Sequence, residues 1–192
     1  MTAETSTTTT VTALEDMMLH IIVENHVSVY EQEPAVAYIA KVEGQSLVDG
    51  VTRDLANASV YVWDGCYLYD AGDMRLAFDS MSGSLEAVAS DIYANIEKLH
   101  DDYTGSVVII DNVDINADYA SEKSLAARTV AAALVAAGVV RNEALVAGIA
   151  WDQSYADIYT TLGMTNIENT TLYVGYSNLQ DFDDAVRKAL SI

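Results

Sequence analysis

The stretch Val107-Val-Ile-Ile-Asp-Asn-Val-Asp-Ile-Asn-Ala-Asp-Tyr119 decides the architecture. Its first half is β-branched and almost wholly apolar, as a strand is when both of its faces are covered. The span 106–115 is therefore expected to be a central buried strand, running into a polar loop. Toward the C-terminus, 121–137 is alanine-rich and stops at Gly138, the pattern of a helix closed by a left-handed residue. A strand is expected at 144–151, a short helix capped by Asp152 and ending at Gly163, a strand at 170–176 and an amphipathic helix at 179–190. Toward the N-terminus, Ser84 reads as the cap of a helix whose Leu85, Val88, Ile92, Ile96 and Leu99 form one apolar stripe. Before it, 59–63, the turn Asp64-Gly65 and 66–69 read as a hairpin. The span 27–40 reads as extended, interrupted by the single proline, Pro34, and 13–23 as a helix with Leu14, Met17, Met18, Ile21 and Ile22 on one face. Residues 1–12, with threonine from Thr7 to Thr10, read as a flexible arm. Strand and helix alternate through the second half, so 13–192 is expected to form one α/β domain, a twisted mixed sheet flanked by helices.

A chain of 192 residues buries enough surface to fold without disulfides or metal. Its single cysteine, Cys66, excludes a disulfide scaffold. An apolar content of 51% against 20% charged residues excludes a disordered chain. No apolar run reaches the ~20 residues of a membrane helix, and the acidic N-terminus is not a signal peptide. The expectation is a cytoplasmic protein, or a virion component if the chain is viral, with no membrane partner. The net charge is −20, spread as 15 acids and 3 bases over 1–96 and 14 and 6 over 97–192. Such a surface repels nucleic acid and anionic lipid, because both are held by Lys and Arg. It fits a high-salt interior, imitation of nucleic acid toward a basic partner, or plain solubility. Charge alone does not choose among them.

The order of the motifs resembles that of the GNAT acyltransferase superfamily over roughly residues 60–178. Ile110-Asp-Asn-Val-Asp-Ile115 running toward Tyr119 and a helix resembles its central strand and following loop, and Tyr159-Thr-Thr-Leu-Gly-Met164 resembles its Tyr-x-x-Leu-Gly-Phe segment. Asp79-Ser-Met-Ser82 resembles an Asp-x-x-Ser segment of some larger bacterial members. The resemblance implies a slot between the 106–115 and 144–151 strands that takes acetyl-CoA and transfers its acyl group to a small-molecule or protein amine. It makes Tyr159 the acid that protonates the leaving thiolate and Asp111 the base that deprotonates the amine. Backbone groups of Asn112, Val113 and Ile115 would pair with the pantetheine arm. The pyrophosphate would meet Ser121, Lys123, Ser124, Leu125 and Ala126 at the start of the next helix.

The span Tyr119-Ala-Ser-Glu-Lys-Ser-Leu-Ala126 departs from the family's glycine-containing loop: it has no glycine, and Glu122 puts a negative charge where phosphate belongs. The alternative is a GNAT-like fold without catalysis, a binding or structural protein whose partner is a basic protein surface or its own subunits. Asp114-x-Asn116-x-Asp118 copies half a calcium loop but lacks its glycine and its bidentate glutamate. His20, His26 and His100 have no ligand spacing, so no metal is expected. Asp181, Asp183 and Asp184 suit a helix start. Self-repulsion at −20 should yield to screening as the Debye length falls from ~30 Å at 0.01 M salt to ~3 Å at 1 M. The melting temperature should therefore rise from dilute buffer to molar KCl in a calorimetric scan, and a flat or falling trend would remove adaptation to high salt.

Overall fold

Strand β4 (Ser106–Ile115) does run through the middle of a seven-stranded mixed sheet, and its buried run, Val107 to Ile110, is covered on both faces. The computed structural model describes residues 13–27, 35–63, 74–75, 78, 81–99, 105–177 and 179–191. The other strands are β1 (Met17–Val27), β2 (Ala35–Ser46), β3 (Thr52–Trp63), β5 (Ala144–Ile149), β6 (Thr165–Asn166) and β7 (Leu172–Tyr176), in the order β1-β2-β3-β4-β5-β7-β6. Among the described strands every pairing is antiparallel except β4 with β5, which are joined by a crossover through a helix. Among the described residues, the α-helices that pack on the sheet are α1 (Gly83–Ala94), α2 (Lys123–Ala136), α3 (Gln153–Thr161) and α4 (Gln180–Leu190).

The two faces carry separate cores. On one, Ala40, Ala58, Val60, Val108, Ile110 and Val146 meet the alanine-rich side of α2, with α3 and α4 closing around it. Alanine matters here, because its short side chain lets α2 lie close on the sheet. On the other face α1 lays Leu85, Val88 and Ile92 on Val107, Ile109, Leu145, Ala147 and Val174. This second layer reaches β4, β5 and β7. Farther out on the same side, Met18, Ile22 and Ile39 of β1 and β2 are exposed.

Local chemistry explains the ends. Ser82 caps α1 by accepting from the Leu85 amide at 3.2 Å, two residues before the serine expected to do so. Gly138, at φ +80°, ends the α2 segment in the left-handed region, as expected. Leu55 is an extra residue in β3, and this bulge lets Leu55 and Ala56 both be buried.

Two expectations are corrected. The span 13–23 is not a helix: a short 3-10 turn, Leu14–Asp16, leads into β1. The periodic stripe there is real, but Ile21, Ile22 and Val23 favour extended backbone, and pairing with β2 along the whole strand outweighs a weak helical preference. In the expected hairpin, 66–69 lies outside the described residues, and 59–63 has β2 on one side and β4 on the other. The 1–12 arm, Pro34, Asp79 and Ser80 also lie outside the described residues.

Gly175 on β7 sits under Phe182 of α4: a Cβ there would overlap the Phe182 ring and approach Met164 at 3.1 Å. Gly175→Ala should therefore lower stability by about 1–3 kcal/mol, the usual cost of overpacking a core. Urea unfolding would check it, and an unchanged midpoint would refute the close approach.

Candidate functional site

The β4–β5 ladder is short. It pairs Ser106 to Ile109 with Ala144 to Ala147 and then stops, although β4 continues to Ile115. The cause lies on the other edge of β4. Val60 faces Ile110 and Ser59 faces Asn112, so Asp111 is one residue too many and forms a bulge. An extra residue bends and twists its strand, and here β4 parts from β5 directly before it. The expected splay between these strands is thus present.

Helix α3 stands over the opening. Asp152 caps it, accepting from the amides of Ser154 at 2.8 Å and Tyr155 at 3.2 Å. Tyr155 and Tyr159 are one helical turn apart and share a face. The Tyr155 hydroxyl donates to the Val113 carbonyl of β4 at 3.2 Å, and the Tyr159 hydroxyl donates to the Ile149 carbonyl of β5 at 3.3 Å. The two phenols therefore tie α3 to both banks of the opening. Their rings lie 6.2 Å apart, and Tyr173 tilts against Tyr159 at 5.5 Å. Gly148 of β5 makes room for this: a Cβ there would stand 2.7 Å from the Tyr159 ring and hydroxyl.

Asp111, half-buried at the bulge, accepts a short hydrogen bond from the Ser84 hydroxyl in the first turn of α1, and the Ser82 and Ser84 hydroxyls are 3.0 Å apart. Three phenols feel its charge. Tyr61, Tyr155 and Tyr159 are all pushed above the ordinary tyrosine range, first by burial and further by the Asp111 carboxylate. Asp152 and Asp114 add to the effect on Tyr155. Tyr155 and Tyr159 thus keep their protons beside the Asp111 carboxylate, in a negative environment.

The structure gathers Asp111, Val113 and Tyr159 around this opening. Tyr159 is 1% exposed, its hydroxyl turned to the main chain. The Asn112 side chain points away from it, toward Asn57 on the exposed sheet face at 3.5 Å, while Ile115 pairs with Ala56 and packs partly buried against the clusters that contain Leu125 and Ala126 on the α2 side of the sheet. At the start of α2, Leu125 and Ala126 are buried, whereas Ser121, Lys123 and Ser124 face solvent. The Lys123 ammonium is engaged by Asp157 of α3 at 2.5 Å, and that pairing, with a hydrogen bond from Gln153, holds the Asp157 carboxyl below its ordinary range. Asn116 is used locally: its side chain accepts from the Asp118 amide and donates to the Asp54 carbonyl.

Sequence reading missed Tyr155, Gly148 and the bond from Ser84 to Asp111. The i, i+4 spacing of Tyr155 and Tyr159 was visible, and so was a glycine within an otherwise apolar strand. The Ser84 contact joins segments far apart in sequence and left no local signal. Among the described residues, no three His, Cys, Asp or Glu side chains are grouped as metal ligands, and no helix is long and apolar enough to cross a membrane. Comparison with protein-family models, curated proteins and solved structures finds no match for this chain.

Burial raises the Tyr159 phenol above its ordinary value, so the folded state holds this proton more tightly than the unfolded chain does. Its contribution to stability is complete below about pH 10, where the unfolded phenol titrates, and is lost as pH rises beyond it. Wild-type stability should therefore fall from about pH 10 upward more steeply than that of Tyr159→Phe. At neutral pH the variant should be weaker by about 1–3 kcal/mol, because it strands the Ile149 carbonyl. Urea titrations across that range would check both, and parallel curves would show that the phenol ionises freely in the folded protein.

Proposed function

We propose that this chain is a non-catalytic binding or structural protein on a GNAT-like sheet, its cofactor slot filled by its own tyrosines. The observation that carries this reading is the Tyr155 hydroxyl on the Val113 carbonyl. In the resemblance, that carbonyl belongs to the strand edge along which the pantetheine arm would pair. The likeness itself is supported by the parallel pair β4 with β5, at a splay in a sheet whose other described pairings are antiparallel.

The residues present do not fit coenzyme A. The start of α2 offers no glycine approach for a pyrophosphate, Glu122 stands at its cap, and Lys123 is committed to Asp157. A net charge of −20 opposes an anionic ligand in addition. A buried phenol with a raised pKa, bonded to a carbonyl, is also poorly placed to give up a proton. The acidic surface suits a basic protein partner, or self-association when salt screens it.

A second reading, acetyl transfer to an amine, draws on Asp111: a half-buried carboxylate on a bulge beside a strand opening is placed as a base would be. Calorimetric titration separates the two. A ligand that binds only the folded state raises the melting temperature by mass action. Acetyl-CoA at about millimolar concentration should give no heat and no thermal shift, in low or high salt. Saturable binding with acetylation of an added amine would overturn the non-catalytic reading and restore the enzyme.

A further inference from the structure

We propose that β1 is a homotypic interface: a second copy of this chain adds to it antiparallel, about a two-fold axis through Ile22, joining two sheets into one. This inference stands on the far edge of the sheet from the tyrosine-filled opening and does not depend on the reading of that opening.

β1 terminates the sheet, and among the described residues no strand lies beyond it. It is 11 residues long, and from His20 to Asn25 its side chains are exposed on both faces. Met18 is 47% exposed, Ile21 and Ile22 41% and Val23 36%. Natural sheets blunt such an edge with lysine, proline or a bulge. β1 contains no Lys, Arg or Pro, and its pairing with β2 runs without a register shift.

Charge selects the occupant. The chain carries 29 acids, yet the only one within β1 is Glu24. A basic partner would find little to hold there, whereas a copy of the same acidic molecule approaches at lowest cost where charge is most depleted. The strand is also self-complementary. Antiparallel pairing about Ile22 sets Ile22 opposite the partner's Ile22 and Ile21 opposite the partner's Val23. The same register sets His20 opposite the partner's Glu24 on each side of the axis. The odd positions lie on the sheet face that carries α2, and the even ones on the face that exposes Ile39, so the exposed apolar seam continues on both sides of the joined sheet. Both copies use the same patch, which closes the assembly at two.

Sedimentation equilibrium of the full chain at about 0.1 M and about 2 M KCl tests this, because salt relieves the repulsion between the copies. The expected mass at high salt is twice 20.7 kDa, with monomer growing as salt falls. Ile22→Lys sets like charges opposite each other on the axis and should raise the dissociation constant at least roughly tenfold. Circular dichroism would show whether that variant folds. Independently, in a Cys66→Ser background, Ile22→Cys should form an intermolecular disulfide under mild oxidation, because directly opposed positions lie about 4.5–5.5 Å apart, within bonding reach. His20→Cys should not, because its counterpart lies several residues away across the axis. A monomer at every salt concentration, a dimer indifferent to Ile22→Lys, or equal cross-linking of the two cysteine variants would each overturn the proposal.

Discussion

The parting of β4 from β5 at Asp111 is the constraint that shapes the rest of the site. Ahead of it, Val107 to Ile110 lie under helices on both faces, as in a sheet buried on both sides. Beyond it, the β5-side edge of β4 loses its strand partner, and an unpaired carbonyl in a protein interior is costly. The position of α3 answers that cost. Asp152 starts the helix where Tyr155 reaches Val113, and the next turn brings Tyr159 to Ile149. Gly148 is the complementary concession, a side chain given up so that a ring can lie on the strand.

A polar opening between two strands is an economical place to build a site, and here it has been finished differently. The groups that hold it together, two phenols and a serine-bonded carboxylate, satisfy one another or the main chain. Each is a residue type that catalysis also uses, which is why fold and residue identity together do not fix activity. What separates the readings is where the hydroxyls point. Both tyrosine hydroxyls end on backbone carbonyls, so α3 is held to both banks of the opening by contacts internal to the chain.

The second half of the molecule was legible in its sequence because its signals are local. β4 was read at its observed limits, and the helices at 121–137 and 179–190 differ from α2 and α4 only at their ends. Gly138 and Asp152 punctuate as their chemistry requires. The first half was less legible. The spacing of Leu14, Met17, Met18, Ile21 and Ile22 satisfies a helix, and only the pairing of β1 with β2, a tertiary fact, makes it a strand. The parting of the two strands was expected from the motif order, but not all of the side chains gathered at it were. Asp111 and Tyr159 were singled out, whereas the bulge beneath one and the glycine beneath the other depend on register and clearance, which a linear pattern does not carry.

The two cores overlap only across the middle of the sheet. Val107 to Ile110 alternate between the α1 side and the α2 side, whereas among the described residues β1 and the outer part of β2 are backed by helix on one face alone. Opening free energy is therefore graded along the sheet, and amide hydrogen exchange would register the gradient. The central amides of β4 and β5 should be released only with global unfolding, and those of the outer ribbon sooner in the monomer. In the monomer the margin of the sheet is thus the part expected to open at least cost, and pairing with a second copy would raise that cost.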